Sequence, residues 1–195
     1  MKKFIIVLVC FLTLGIMNVH ADELELPAVT DHEKVTIYVF RGNGCSFCRS
    51  ALTYFNQNAG MYSDYFEVKA YEVWENSYNN ELLNDVAEQM GDTLQGVPYI
   101  VIGNSYSENG FTSALGTEMI EAALQEYQNE TYVDLVKEVA QSHGKSKSET
   151  LREACIKEEI IKEDRNSKYD TIIILGIFAV VLGGGAALVA FSRKK

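Results

Sequence analysis

Histidine and cysteine are scarce in this chain of 195 residues, which has three of the first and four of the second. No second Cys-x-x-Cys accompanies Cys45-Ser46-Phe47-Cys48, and His32 and His143 stand alone. A zinc site with its usual four ligands is therefore excluded, and neither a metal nor another cofactor is expected. No small residue precedes Cys10, which removes the lipoprotein reading of the N-terminal segment. Leu-Pro-x-Thr-Gly is also missing ahead of the apolar C-terminal run, so a sortase-type anchor is excluded. Internal repeats and low-complexity stretches are lacking. Basic residues are outnumbered, 17 against 27 acidic ones, for a net charge of −10. Residues 22–170 hold 12 of the basic and all of the 27 acidic residues, a charge of −15. That charge argues against nucleic acid or anionic lipid as a ligand.

Two apolar runs bracket this acidic body. Residues 1–21 begin Met1-Lys2-Lys3, run apolar from Phe4 to Met17 and reach Val19-His20-Ala21. A basic start, an apolar stretch and small residues at the third-last and last positions mark a secretory signal peptide, cut after Ala21. The alternative, an uncleaved anchor, suffers from an apolar run that is short for a membrane span. The compact signal points to a bacterial chain. Residues 171–191 carry no charge and precede Arg193-Lys194-Lys195. As a helix they would extend about 31 Å, which matches the hydrocarbon thickness of a bilayer. Basic residues favour the cytoplasmic side. The expectation is thus a single-pass protein of the cell membrane, with its acidic N-terminal domain extracytoplasmic and residues 192–195 as a cytoplasmic tail.

Between these ends, residues 22–32 read as a linker and residues 33–130 as one α/β domain. Val35-Thr36-Ile37-Tyr38-Val39-Phe40 is β-branched and aromatic and runs into the turn Arg41-Gly42-Asn43-Gly44, a strand signal. Phe47, Ala51, Leu52 and Phe55 recur at helical spacing over 46–58. A second strand is expected from Phe66 to Trp74, and a second helix from Asn80 to Met90, closed near Gly91. Tyr99-Ile100-Val101-Ile102 reads as a buried strand and the region of Tyr106 as an edge strand, followed by a helix over 117–128. The first strand–helix–strand unit implies parallel strands, and the last two strands a hairpin. Residues 131–170 read as a helical linker, with a Ser146/Glu149 capping box opening a helix to about Asp164. Its narrow stripe of Leu151, Ala154, Cys155 and Ile161 suits a stalk reaching the membrane; the same helix would also fit back on the domain or against a second copy. Cys155 is the odd thiol of the mature chain. It reads either as a small apolar residue on that stripe or as a disulfide joining two copies.

The chemistry gathers at Cys45 and Cys48. Their motif follows a strand and opens a helix, where free N–H groups and the positive helix end stabilise a thiolate. A spacing of three puts the second sulfur one turn on, within reach of a mixed disulfide. Cys45 is the expected nucleophile and Cys48 the resolving thiol, with Arg49 placed to help hold the thiolate. A purely structural bridge is the rival, but so short a loop gains little stability from closure.

Gly44-Cys45-Ser46-Phe47-Cys48-Arg49 at a strand-to-helix turn, with Gly96-Val97-Pro98-Tyr99-Ile100-Val101-Ile102-Gly103 further on, resembles the thioredoxin-like superfamily, with glutaredoxin-like details. The likeness covers residues 33–128. It implies a central mixed four-stranded sheet in the order β-α-β-α-β-β-α, here followed by the stalk and the membrane helix. It also implies a redox-active Cys45–Cys48 disulfide, a cis-Pro98 facing it, and substrate contacts from Val97, Pro98 and Phe47. The chain departs from thioredoxins proper at Gly44, where they have Trp, and at Val39, where they bury a carboxylate. Asn109-Gly110-Phe111 stands where classical glutaredoxins carry a Gly-Gly pair.

Two functions compete on this reading. One is a thiol–disulfide oxidoreductase for secreted or surface proteins, whose direction (oxidase, reductase or isomerase) is not legible. The other is an accessory or adaptor domain that binds an exported peptide or a transporter without turnover, using Tyr62, Tyr65, Tyr71, Trp74 and Tyr78 as aromatic contacts.

Overall fold

Strand β1 (Val35–Arg41) is buried along its whole length, and alternation of its side chains builds two cores rather than one. Ile37 and Val39 face one side with Ala51, Leu52 and Phe55; Tyr38 and Phe40 face the other with Leu82, Leu83 and Val86. A strand covered on both faces reads as a continuous apolar run. That is the pattern at 35–40. The computed structural model describes residues 26–169, so the segments expected to be a signal peptide, a membrane span and a basic tail lie outside the described residues. Among the described residues no helix is long and apolar enough to cross a membrane.

The sheet has the order β4 (Tyr106–Asn109), β3 (Tyr99–Ile102), β1, β2 (Phe66–Glu72), β5 (Glu149–Thr150). Strand β2 runs parallel to β1, while β3 is antiparallel to it, and β4 closes the β3 hairpin. Helix α1 (Ser46–Asn58) joins β1 to β2. Together with α3 (Ser113–Tyr127) it covers the face that carries Ile37 and Val39. Helices α2 (Ser77–Met90) and α4 (Leu135–Ala140) cover the opposite face. The layers are helix, sheet, helix.

Side-chain caps set the helix starts. Asn76 accepts the Asn79 N–H and begins α2 three residues before the expected Asn80, because a capping oxygen satisfies a free N–H wherever one stands. Thr112 does the same for α3, moving its start from the expected 117 to Ser113. Gly91, at φ 75°, closes α2 in the left-handed conformation that glycine adopts at little cost.

Two expectations need correction. The sheet has five strands, not four: β5 (Glu149–Thr150) pairs antiparallel with β2. Two residues are too short to leave a periodic signal. The capping box also lies four residues further on: Thr150 Oγ1 accepts the Glu153 N–H, and Glu153 Oε2 accepts the Thr150 N–H. It opens helix α5, residues 151–169. Of the three placements open to this helix, it takes the one back on the domain. Ala154 and Glu158 are buried, and Leu151 and Cys155 pack against the α1/α3 core.

Candidate active site

The turn between β1 and α1 is shaped by two glycines with different jobs. Gly42 lies under the Trp74 indole, where a Cβ would come within 2.1 Å of the ring. Gly44 has φ 75°, and a Cβ there would meet Arg165 Nη2 at 2.6 Å. This compact turn lets the Cys45 N–H reach the Gly42 carbonyl at 3.2 Å. Cys45 then caps α1, its sulfur accepting the Cys48 N–H at 3.2 Å.

Cys45 and Cys48 form a disulfide, with Cα atoms 5.2 Å apart. Cys45 keeps 8% of its surface, whereas Cys48 is fully buried. An incoming sulfur therefore meets Cys45. The Val97–Pro98 peptide bond is cis, as the resemblance implied, and Cys45 Sγ lies 3.7 Å from the Val97 carbonyl oxygen. Four of the five expected residues are thus brought together. The fifth, Phe47, sits on the same turn with its ring 62% exposed, pointing to solvent rather than into the cluster. Trp74 is similarly open at 59%. Gly42→Ala should displace this indole without unfolding the domain. Trp74 is the sole tryptophan, so its emission should shift to the red; an unchanged spectrum would refute the packing described here.

Beneath the turn lies an ion network that sequence reasoning missed. Arg41, the last residue of β1, is fully buried and pairs through Nη1 with Glu158 at 2.9 Å and through Nη2 with Glu149 at 2.8 Å. Glu158 also accepts the Gly44 N–H at 3.0 Å and meets Arg49 Nη2 at 3.3 Å. Arg49 thus turns its charge toward Glu158, where the sequence placed it on the thiolate. The one available signal was Arg41 itself, the single charged residue of strand β1, at its end. Its partners come from residues more than a hundred positions away, which no local pattern reveals.

No family model, curated protein or solved structure matches this chain. The mixed α/β architecture with a bridged Cys45–Cys48 pair is compatible with a thioredoxin-like fold, and a Cys-x-x-Cys pair in a small α/β domain is consistent with redox function.

Glu149 makes the network sensitive to acid. Burial raises its pKa, but hydrogen bonds from Lys157 and Arg41 outweigh burial and hold the carboxyl below its ordinary 4.5. The unfolded chain therefore binds this proton first as pH falls. The contribution of Glu149 is complete above pH 4.5 and is lost as pH drops through the depressed value. Denaturation midpoints measured from pH 6 downward should fall less steeply in Glu149→Gln than in the wild type. Equal slopes would remove Glu149 from the acid response.

Cys155 is a free thiol. It is half-buried, its sulfur lies 3.7 Å from the Leu52 carbonyl oxygen, and burial pushes its pKa up. Among the described residues it is held as a protonated packing group beside α1.

Proposed function

We propose that this chain is a thiol–disulfide oxidoreductase with a thioredoxin-like fold, anchored in the membrane by residues 171–191 and acting on protein thiols and disulfides outside the cytoplasm. The observation that carries the reading is the bridged pair at the start of α1, with its accessible sulfur against the carbonyl that precedes cis-Pro98. The strand order, the parallel β1–β2 pair and the β3–β4 hairpin support the fold assignment.

From the bridged state, a client thiolate attacks Cys45 Sγ. A client–Cys45 disulfide forms and the Cys45–Cys48 bond breaks, leaving Cys48 as thiolate. A second client thiolate then attacks the client sulfur of the mixed disulfide and expels the Cys45 thiolate. The client has lost two electrons and the pair has gained them. The reverse sequence reduces a client disulfide by the same bonds. The helix start stabilises the Cys45 thiolate as either nucleophile or leaving group. Phe47 and Trp74, both open to solvent on the rim, supply apolar surface for the segment that flanks a client cysteine.

The test is capture in cells with Cys48→Ala, and Cys45→Ala as the control. Mixed disulfides that depend on Cys45 support exchange. No adducts, together with a deletion phenotype rescued by a chain lacking both thiols, would replace this reading with the adaptor.

A further inference from the structure

The turn before Cys45 is gripped by a helix outside the unit that the family resemblance covers. Glu158 Oε1 accepts the Gly44 N–H at 3.0 Å, and Arg165 Nη2 donates to the Gly44 carbonyl at 3.3 Å. Both backbone polar groups of the residue preceding Cys45 are thus occupied by α5. The same Glu158 carboxylate takes Arg41 at 2.9 Å and Arg49 at 3.3 Å, and it is only 1% exposed.

Charged groups reach this turn from each surrounding element. Arg41 closes β1, Arg49 lies in α1, and Glu72 at the end of β2 accepts the Asn43 N–H. Glu149 of β5 is shared between Arg41 and Lys157. Glu75 holds the Asn43 side chain, and α5 adds Glu158 and Arg165. Among the described residues, Glu158 is the carboxylate that meets both Arg41 and Arg49. It sets how much of their positive charge is left for a thiolate at the head of α1.

Resting on the exchange reading above, we propose that Glu158 is a positioning residue for Cys45: it pins Gly44 and offsets the positive charge of Arg41 and Arg49 beneath the turn, so that the thiolate is less stabilised than those cations alone would allow. Cations and helix N–H groups lower a thiol pKa, and a neighbouring carboxylate opposes them. A neutral side chain at 158 removes that opposition. The reduced pair then gains stability relative to the disulfide.

Three variants test this in the full chain, purified in detergent with Cys155→Ser as background and reduced beforehand. The readout is the pH dependence of Cys45 alkylation by iodoacetamide, resolved by mass spectrometry and free of any client. Glu158→Gln, whose amide oxygen can still accept from Gly44, should lower the Cys45 pKa by about one unit. The equilibrium with glutathione should shift about tenfold toward the dithiol, about 30 mV for two electrons. Arg49→Gln should move the pKa upward, and the double variant should return toward the wild type. An unmoved titration in Glu158→Gln, or shifts of the same sign in both single variants, overturns the proposal. If Glu158→Gln does not fold, Arg49→Gln decides alone, because its side chain is part-exposed: an upward shift supports the proposal and no shift overturns it. Failure of the exchange reading shows elsewhere, as absent client adducts alongside these same titrations.

Discussion

Arg41→Met should lower the stability of the folded domain by about 3–5 kcal/mol, the usual cost of leaving a buried ion pair half-made. The substitution keeps an unbranched but shorter side chain, and it removes the charge together with the guanidinium donors, including the bond to Asn43. What remains is Glu158 at 1% side-chain exposure with Arg49 alone, and Glu149 at 14% with Lys157 alone. Neither carboxylate has enough solvent to recover its hydration. Such a loss is a large share of the roughly 5–15 kcal/mol that holds a domain together. Urea denaturation followed by circular dichroism should show a lower midpoint with an unchanged slope. The companion variant Arg41→Met with Glu158→Leu should recover much of the loss, since replacing a whole buried pair with apolar groups is often neutral. A single variant within about 1 kcal/mol of the wild type would mean that water already reaches the network. Each guanidinium also keeps a buried Nε with no partner. The network is therefore incompletely satisfied even when intact, and its stabilisation is conditional on both signs of charge being present.

Cys45→Ala should abolish exchange with a disulfide-bonded peptide, by about a thousandfold or more, because the other sulfur of the pair, Cys48, is fully buried. Cys48→Ala should behave differently. Cys48 is fully buried and Cys45 is not, so the first attack survives while resolution is lost. Quenched reactions analysed by mass should give one equivalent of adduct and then stop. Adducts forming on Cys48 in the Cys45→Ala protein would reverse the two roles and show that the buried sulfur becomes accessible on reduction.

Much of the sheet was legible because it rests on local chemistry. The β-branched and aromatic run at 35–40 identifies a strand, and Gly42-Asn43-Gly44 marks its end. The helix over 46–58 has the expected bounds because its cap is part of the motif itself. Asn76 and Thr112 were less visible as caps, since many Asn and Thr residues never cap anything, and α2 and α3 accordingly begin earlier than their apolar periodicity. The cysteine pair was legible for the same local reason, and cis-Pro98 only through resemblance. Strand β5 escaped, and the folding-back of α5 was only one of three placements left open. Both depend on Arg41 finding Glu149 and Glu158, contacts 108 and 117 residues apart. A stripe as narrow as Leu151, Ala154 and Cys155 does not by itself say which surface it covers. Glu158, which no local pattern singles out, is at the centre of the polar cluster under the site.

The grip of Arg165 on Gly44 also sets a leash length. Six peptide steps separate residue 165 from residue 171, and a fully extended chain covers at most about 3.3–3.6 Å per step. The chain therefore cannot carry residue 171 more than about 22 Å from the Arg165 backbone, whatever path it takes between them. If residues 171–191 span the bilayer as proposed, the disulfide would work within a short height of the membrane surface rather than at the far end of a stalk. On that reading, client cysteines close to the membrane, such as those of segments just emerging across it, would fall inside that radius, and those on distal domains outside it.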